Sequence, residues 1–191
     1  TRNIAHEYQS CTGYVLKKWI HRTLAYDKGA NTYTYRTYPF PLIRLAELYL
    51  SYVEADFEYN GTLSSQSLTY LNKVRNRSGL PDFETAWTLP GVGGIPSGDR
   101  MRKALQQERL LEFAIESRWF HDIRRWKRAE EFLGDTPKAW NLDQATPEGF
   151  YQLSAMKENG VRKFTTPKSY WLAIPVTQIN KNKNLIQNPG Y

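Results

Sequence analysis

The stretch 41–77 constrains the fold more than any other part of the chain. Pro39 and Pro41 announce a helix start, because proline's fixed φ suits a first turn and its missing N–H costs nothing there. Leu42, Leu45, Ala46, Tyr49, Tyr52, Val53 and Asp56 follow at steps of three and four, and all but Asp56 are apolar or aromatic. This spacing predicts an amphipathic helix from about Pro41 to Tyr59. Asn60-Gly61 ends it, since both residues tolerate left-handed backbone. A second helix is predicted from Ser64 or Ser65 to Arg77, with Leu68, Leu71 and Val74 as its buried stripe. Gly79 and Pro81 stop it. Two helices joined by so short a loop are expected to pack as an antiparallel pair.

The rest of the chain reads as helix interrupted by long irregular segments. Residues 82–98 hold Pro90, Gly91, Gly93, Gly94 and Pro96, so this segment is expected to be a loop carrying Phe83 and Trp87. A third helix is predicted from about Arg100 to Arg118, capped by Ser97 or Asp99 and carrying Met101, Leu105, Leu111 and Ile115. It continues, or restarts after a kink, through Trp119 to Phe132. From Asn31 to Tyr38 tyrosine alternates with Thr or Arg, the period of an extended segment. Residues 133–167 have little periodicity and carry Trp140, Phe150 and Tyr151. Pro175 opens a last helix, 176–180. The predicted class is mainly α, an irregular helical domain with long loops, read as one domain over 1–191.

Several function classes find no support. No apolar run approaches the roughly 20 residues that span a bilayer. No signal peptide is evident, and Thr1 to Ser10 reads as mid-chain material, so a fragment of a longer protein is expected. Cys11 is the only cysteine, which excludes an internal disulfide. His6, His21 and His121 lack metal-ligand spacing. Gly91-Val92-Gly93-Gly94 lacks the Gly-Lys-Ser/Thr ending of a phosphate loop. His121 and Asp122 are adjacent, so on a helix they point apart and form no triad. No cofactor is expected.

Three groups of residues carry candidate chemistry. Glu108, Glu112 and Glu116 recur every four residues, as a glycosidase acid/base set can. Like charges at that spacing repel, so these glutamates are expected to meet arginines from elsewhere: Arg44, Arg75, Arg77, Arg109 or Arg118. Glu47 and Glu54 are read the same way. The stretch Arg118 to Arg128 mixes Arg, Lys, Trp and Phe, and the formal charge is +7. A single-stranded nucleic-acid or polyanion binder would use such a stretch. Equally, Trp119, Ile123 and Trp126 share one helical face, as core residues do. Finally, aromatics make up 14% of the chain, with 13 Tyr and 6 Trp. Sugars stack on exposed rings, and Phe83, Trp87, Trp140 and Tyr151 are the direct-contact candidates on that reading. Each can also be a partly buried plug.

Four ordered stretches resemble the C-terminal region of the SusD/RagB family. They are Pro41-Leu42-Ile43-Arg44-Leu45-Ala46-Glu47-Leu48-Tyr49-Leu50-Ser51-Tyr52-Val53-Glu54-Ala55; Leu71-Asn72-Lys73-Val74-Arg75-Asn76-Arg77-Ser78-Gly79-Leu80-Pro81; Glu108-Arg109-Leu110-Leu111-Glu112-Phe113-Ala114 with Glu116 and Arg118-Trp119-Phe120; and Gln187-Asn188-Pro189-Gly190-Tyr191 after Ile174-Pro175. Ser117 stands where the motif usually has Gly. The resemblance implies the C-terminal part of a helical outer-membrane lipoprotein of Bacteroidetes, exposed at the cell surface. It implies an oligosaccharide ligand, or a peptide in the RagB branch, and a SusC-like TonB-dependent transporter as partner. It implies no catalysis and no nucleic acid. The missing N-terminal half would carry tetratricopeptide-type helix pairs and the lipid anchor, because Tyr8-Gln9-Ser10-Cys11 does not read as a lipobox. The motif residues read as scaffold, so no ligand contact is carried over from them.

Overall fold

The computed structural model describes residues 12–14, 17–37, 39–134, 136–144, 146–155 and 163–191. His6, Cys11 and Tyr38 lie outside them. The chain divides into two compact units, His21–Trp119 and Thr1–Ile20 with Phe120–Tyr191. Its elements run in the order β1 (Ala25–Asp27), β2 (Thr32–Thr34), α1 (Leu45–Asn60), α2 (Ser65–Arg77), α3 (Phe83–Trp87), α4 (Gly98–Glu112), α5 (Arg118–Arg125), α6 (Ala129–Leu133), β3 (Lys138–Trp140), α7 (Pro147–Phe150), β4 (Leu153–Ala155), a 3-10 turn (Lys168–Tyr170) and α8 (Val176–Lys181). No helix among the described residues is long and apolar enough to cross a membrane.

In residues 21–119, α1 and α2 pack on each other and α4 packs on α1. Ala46, Leu50, Val53 and Phe57 on α1 meet Leu71 and Val74 on α2, Phe83 on α3, and Met101, Ala104 and Leu105 on α4. Each fully buried large side chain of this set stabilises the unit by about 1.5–3 kcal/mol. Of the predicted α2 stripe Leu71 and Val74 are buried and Leu68 is half-buried; of the predicted α1 stripe Ala46 and Val53 are buried, but other members are not. Leu42, Leu45 and Tyr52 are exposed, while Leu50 and Phe57 are buried. The reason is that α1 is apolar on more than one face, so period alone does not fix which face turns inward. The helix also begins at Leu45 rather than Pro41, with Arg44 extended before it.

The helix ends follow residue chemistry. Gly61 takes φ 70° and donates to the Phe57 carbonyl at 2.8 Å. Gly79 takes φ 76°, with Leu80 N–H on the Arg75 carbonyl and Gly79 N–H on that of Asn76, each at 3.0 Å. That pair of bonds is a Schellman closure. Between α1 and α2, Asp56 accepts hydrogen bonds from Ser67 Oγ, from Ser64 N–H and Oγ, and from Asn60 Nδ2. It thereby ties the loop to both helices.

Two expectations are corrected here. Residues 82–98 are not all loop: Phe83–Trp87 forms α3, whose N-terminal Phe83 N–H donates to Asn72 Oδ1 at 2.8 Å. Five residues are too few to show a period. The third helix stops at Glu112 and not at Arg118, because Ile115 (φ 65°) and Ser117 (φ 62°) enter left-handed backbone. Leu111, on the outer face of α4, and Ile115, beyond its end, are exposed.

The turn after α4 is held by a lattice of arginines and glutamates. Arg44 grips Glu116 with two bonds, Nε to Oε2 at 2.9 Å and Nη2 to Oε1 at 2.7 Å. Its Nη1 reaches Glu112 Oε1 at 2.7 Å. Arg77 takes the other Glu112 oxygen at 2.6 Å. Arg75 pairs with Glu108 and donates to the Pro81 carbonyl at 2.8 Å. Arg118 reaches Glu47 at 2.8 Å and the Leu42 carbonyl at 2.9 Å. Under the lattice lies Phe113, only 2% exposed, with the guanidinium carbons of Arg44 and Arg109 at 5.0 and 5.1 Å from its ring centre. Glu54 sits half-buried on α1. Burial acts to lower the Arg44 pKa, but its bonds to Glu116 and Glu112 outweigh this and raise it.

In the other unit, Ile123 and Ala129 are fully buried. β3 pairs antiparallel with β4, setting Ala139 opposite Ser154 and Trp140 opposite Leu153. The C-terminal residues close onto 168–174. Gln187 bonds both backbone groups of Ile174 at 2.9 Å, and Asn188 Nδ2 donates to the Leu172 carbonyl at 2.7 Å. Tyr191 OH donates to the Trp171 carbonyl at 3.1 Å. At Gly190, φ is 92° and a Cβ would stand 2.8 Å from Lys168 Cβ. The terminal motif is therefore a clasp in which Gln187, Asn188, Gly190 and Tyr191 each have a geometric task.

Two stability tests follow. Left-handed backbone costs a residue with a Cβ on the order of 1 kcal/mol, so Ser117→Gly should raise the melting temperature by about 2–4 °C. An unchanged or lower value in thermal denaturation contradicts the strain at that turn. Hydrogen bonds led by Ser67 hold Asp56 well below its ordinary value of 3.8. Its contribution is thus complete above about pH 4 and lost as the pH falls below that. Melting curves taken down the acid limb should show wild type above Asp56→Asn at neutral pH, with the gap closing in acid.

Candidate functional site

The three helix-face glutamates were one candidate for chemistry, and the structure commits all of them to arginines. Glu108 meets Arg75, Glu112 meets Arg44 and Arg77, and Glu116 meets Arg44. Burial pushes the Glu108 carboxyl up from its ordinary value, and the Arg75 guanidinium opposes that. Glu108 and Glu112 share α4, while Glu116 lies beyond its end. Acid/base hydrolysis needs two carboxyls facing a sugar from opposite sides. Here their oxygens face guanidinium groups instead.

The basic-aromatic stretch 118–128 is similarly engaged with its own side chains. Arg125 Nε donates to the buried Asp122 at 2.8 Å, and Arg128 pairs with Glu131 at 2.6 Å. The Arg124 guanidinium lies 3.6 Å from the Phe120 ring centre, and Arg128 lies 4.9 Å from that of Phe132. His121 is exposed and packs edge-on against Phe120. No group of three His, Cys, Asp or Glu among the described residues is placed to hold a metal.

The four aromatic candidates divide by unit. Phe83 is 0% exposed, which corrects its reading as a ligand contact: a ring without a free face has nothing to stack on. Trp87 is half-buried against it at 5.9 Å, with the Arg100 guanidinium at 5.1 Å from its ring. Both belong to the residues 21–119.

Trp140 and Tyr151 come together. Trp140 ends β3, and Tyr151 follows α7 in the connection that leads back to β4. Their ring centres are 5.5 Å apart, edge to face. Phe150 stacks at 6.4 Å from Trp140 and meets Tyr151 at 5.1 Å. Tyr14 closes the cluster at 5.5 Å from Trp140. The chain reaches Trp140 at Gly13, where φ is 77° and a Cβ would stand 2.9 Å from Leu142 Cδ2 and 3.1 Å from Trp140 Cβ. Trp140 N–H donates to the Thr12 carbonyl at 3.0 Å. Trp140 is half-buried, while Tyr14 is 55% and Tyr151 64% exposed. The result is an anchored indole with two phenol rings standing in solvent beside it. Such a surface offers ring faces to the apolar side of a sugar and two hydroxyls for hydrogen bonds. Tyr14 was missed from the sequence, because nothing in a residue so distant along the chain points to Trp140.

Two hollows lie in residues 21–119. A groove of about 250 Å³ is lined by Arg44, Tyr49, Lys73, Val74 and Arg77, among others. A cleft of about 230 Å³ is lined by Phe57, Leu63, Leu68, Ile95 and Met101, among others. Of the groove's lining, Tyr49 stacks on Tyr70 at 4.5 Å, and Lys73 Nζ sits 5.5 and 5.8 Å from the two ring centres.

Comparison with known proteins places the chain in a family. The SusD family model matches residues 4–191. The SusD-like protein P2 of Formosa agariphila is 27% identical over 179 residues, covering 93% of this chain. The chain spans only 30% of that relative's length. Among solved structures, BT4246 superposes with a TM-score of 0.77 at 25% identity, over 95% of this chain and 29% of its own. A SusD superfamily protein from Parabacteroides distasonis gives 0.51 at 22% identity, over 78% and 27%. Helix-rich architecture, motif order and these matches agree: the chain belongs to the SusD family.

Proposed function

We propose that this chain is the C-terminal part of a surface protein that binds oligosaccharides for import and performs no bond cleavage. It serves, on this reading, at the outer membrane beside a SusC-like TonB-dependent transporter, anchored through a lipid on a region outside residues 1–191. Residues 1–191 form one SusD/RagB-like domain of it. Membership of the SusD family supports the binding role. The observation that carries the ligand class is the cluster of Tyr14, Trp140, Phe150 and Tyr151, with two rings exposed. The engagement of Glu108, Glu112 and Glu116 by arginines supports binding over hydrolysis. The pairing of Arg125 with Asp122 and of Arg128 with Glu131 supports a structural rather than a nucleic-acid-binding role for 118–128.

Taking a sugar face on a tyrosine to contribute as an aromatic ring pair does, the contact is worth about 0.5–1.5 kcal/mol. In calorimetry with the full-length protein, Tyr151→Ala should therefore weaken oligosaccharide binding up to roughly ten-fold while circular dichroism shows the protein still folded. A screen that finds peptide ligands and no glycan overturns the ligand class in favour of a RagB-like peptide binder.

A further inference from the structure

The net positive charge is distributed unevenly. In residues 1–20 with 120–191, Lys and Arg outnumber Asp and Glu by 14 to 8; in residues 21–119 the numbers are 12 and 11. The aromatic cluster belongs to the basic unit. Within that unit, two arginines are already committed, Arg125 to Asp122 and Arg128 to Glu131. Lys138 is different. It is exposed, and it pairs with no carboxylate among the described residues.

Its position is set by the strand. Side chains two residues apart on a β-strand project from the same face, about 7 Å apart. Lys138 and Trp140 therefore share a face of β3, and buried Ala139 takes the other. Directly opposite on β4 stand Ala155 for Lys138 and Leu153 for Trp140, so no acid faces the ammonium across the ladder. The hairpin's carboxylates, Asp143 and Glu148, lie in the 141–152 connection, at the end away from Lys138. One face thus offers an aromatic anchor and, about 7 Å along the strand, a cation that no carboxylate among the described residues pairs with.

We infer that the β3–β4 hairpin face selects an anionic oligosaccharide, stacking one residue on the Trp140–Tyr151 aromatic cluster and holding the acid group of a neighbouring sugar on Lys138. The inference rests on the glycan-binding reading above and names its ligand class. Carboxylate and sulfate ester present the same chemistry to an ammonium, so uronate-bearing and sulfated sugars are both of this class. An exposed ammonium–anion contact is screened by salt, whereas ring stacking is not.

The test is a glycan array of neutral, uronate-bearing and sulfated oligosaccharides probed with the full-length protein, followed by calorimetry of its ligands at low and high salt. Binding should favour acidic sugars, and the array should show whether carboxylate or sulfate is preferred. Lys138→Gln should cut acidic-sugar affinity about five- to ten-fold and flatten its salt dependence, leaving any neutral-sugar affinity unchanged. Tyr151→Ala should weaken both. Binding confined to neutral sugars, or acidic-sugar affinity indifferent to Lys138→Gln while still sensitive to Tyr151→Ala, overturns the inference and leaves the glycan-binding reading in place. Absence of any sugar binding, or affinity that Tyr151→Ala leaves unchanged, overturns that reading itself.

Discussion

The fork of Arg44 is the interaction on which the rest of residues 21–119 depends. Three of its nitrogens meet two carboxylates, Glu112 at the end of α4 and Glu116 beyond it. A lysine could not do this, since an ammonium has no planar pair of donors to match a carboxylate. The fork fixes the start of α1 against the turn where the chain leaves α4. That turn cannot be helical, because Ile115 and Ser117 are left-handed. With its backbone bonds interrupted there, the segment relies on side chains for its position. Phe113 below and Arg77 beside complete the arrangement.

This explains what the family motifs are for. Arg44 and Glu47 of the first motif, Arg75 and Arg77 of the second, and Glu108, Glu112, Glu116 and Arg118 of the third pair with one another. The last motif is a separate clasp, local to the C-terminus, in which a glutamine side chain stands in for a strand partner of Ile174. Both are ways of holding irregular backbone without regular secondary structure. The motif residues therefore identify the family while leaving the ligand unspecified. On the proposed reading, specificity falls to residues outside the motifs, such as Lys138, Trp140 and Tyr151.

The legibility of the sequence varied by element for physical reasons. Leu71 and Val74 could be placed in the core because α2 carries few other apolar residues, Leu68 and Tyr70. On α1, Leu45, Leu48 and Tyr52 compete with Leu50, Val53 and Phe57, and the spacing cannot choose between the two sets. The break after Glu112 has no proline or glycine to announce it. Its one sequence trace is Ser117, at a position where the family motif carries glycine and where the backbone here takes positive φ. Phe83 looked like a loop aromatic because its helix is only five residues long. Trp140 and Tyr151 were recognisable as candidates by type, but their meeting depends on the β3–β4 pairing and on Gly13, which no local pattern encodes.

A double-mutant cycle between Arg44 and Glu116 addresses the central claim most directly. Arg44→Met and Glu116→Gln, singly and together, would be compared by denaturant unfolding. A fork that positions the turn gives a coupling energy of about 1.5–3 kcal/mol, with each single variant losing most of what the double variant loses. Single-variant effects that simply add would show that the two side chains act independently, and that some other contact holds the turn.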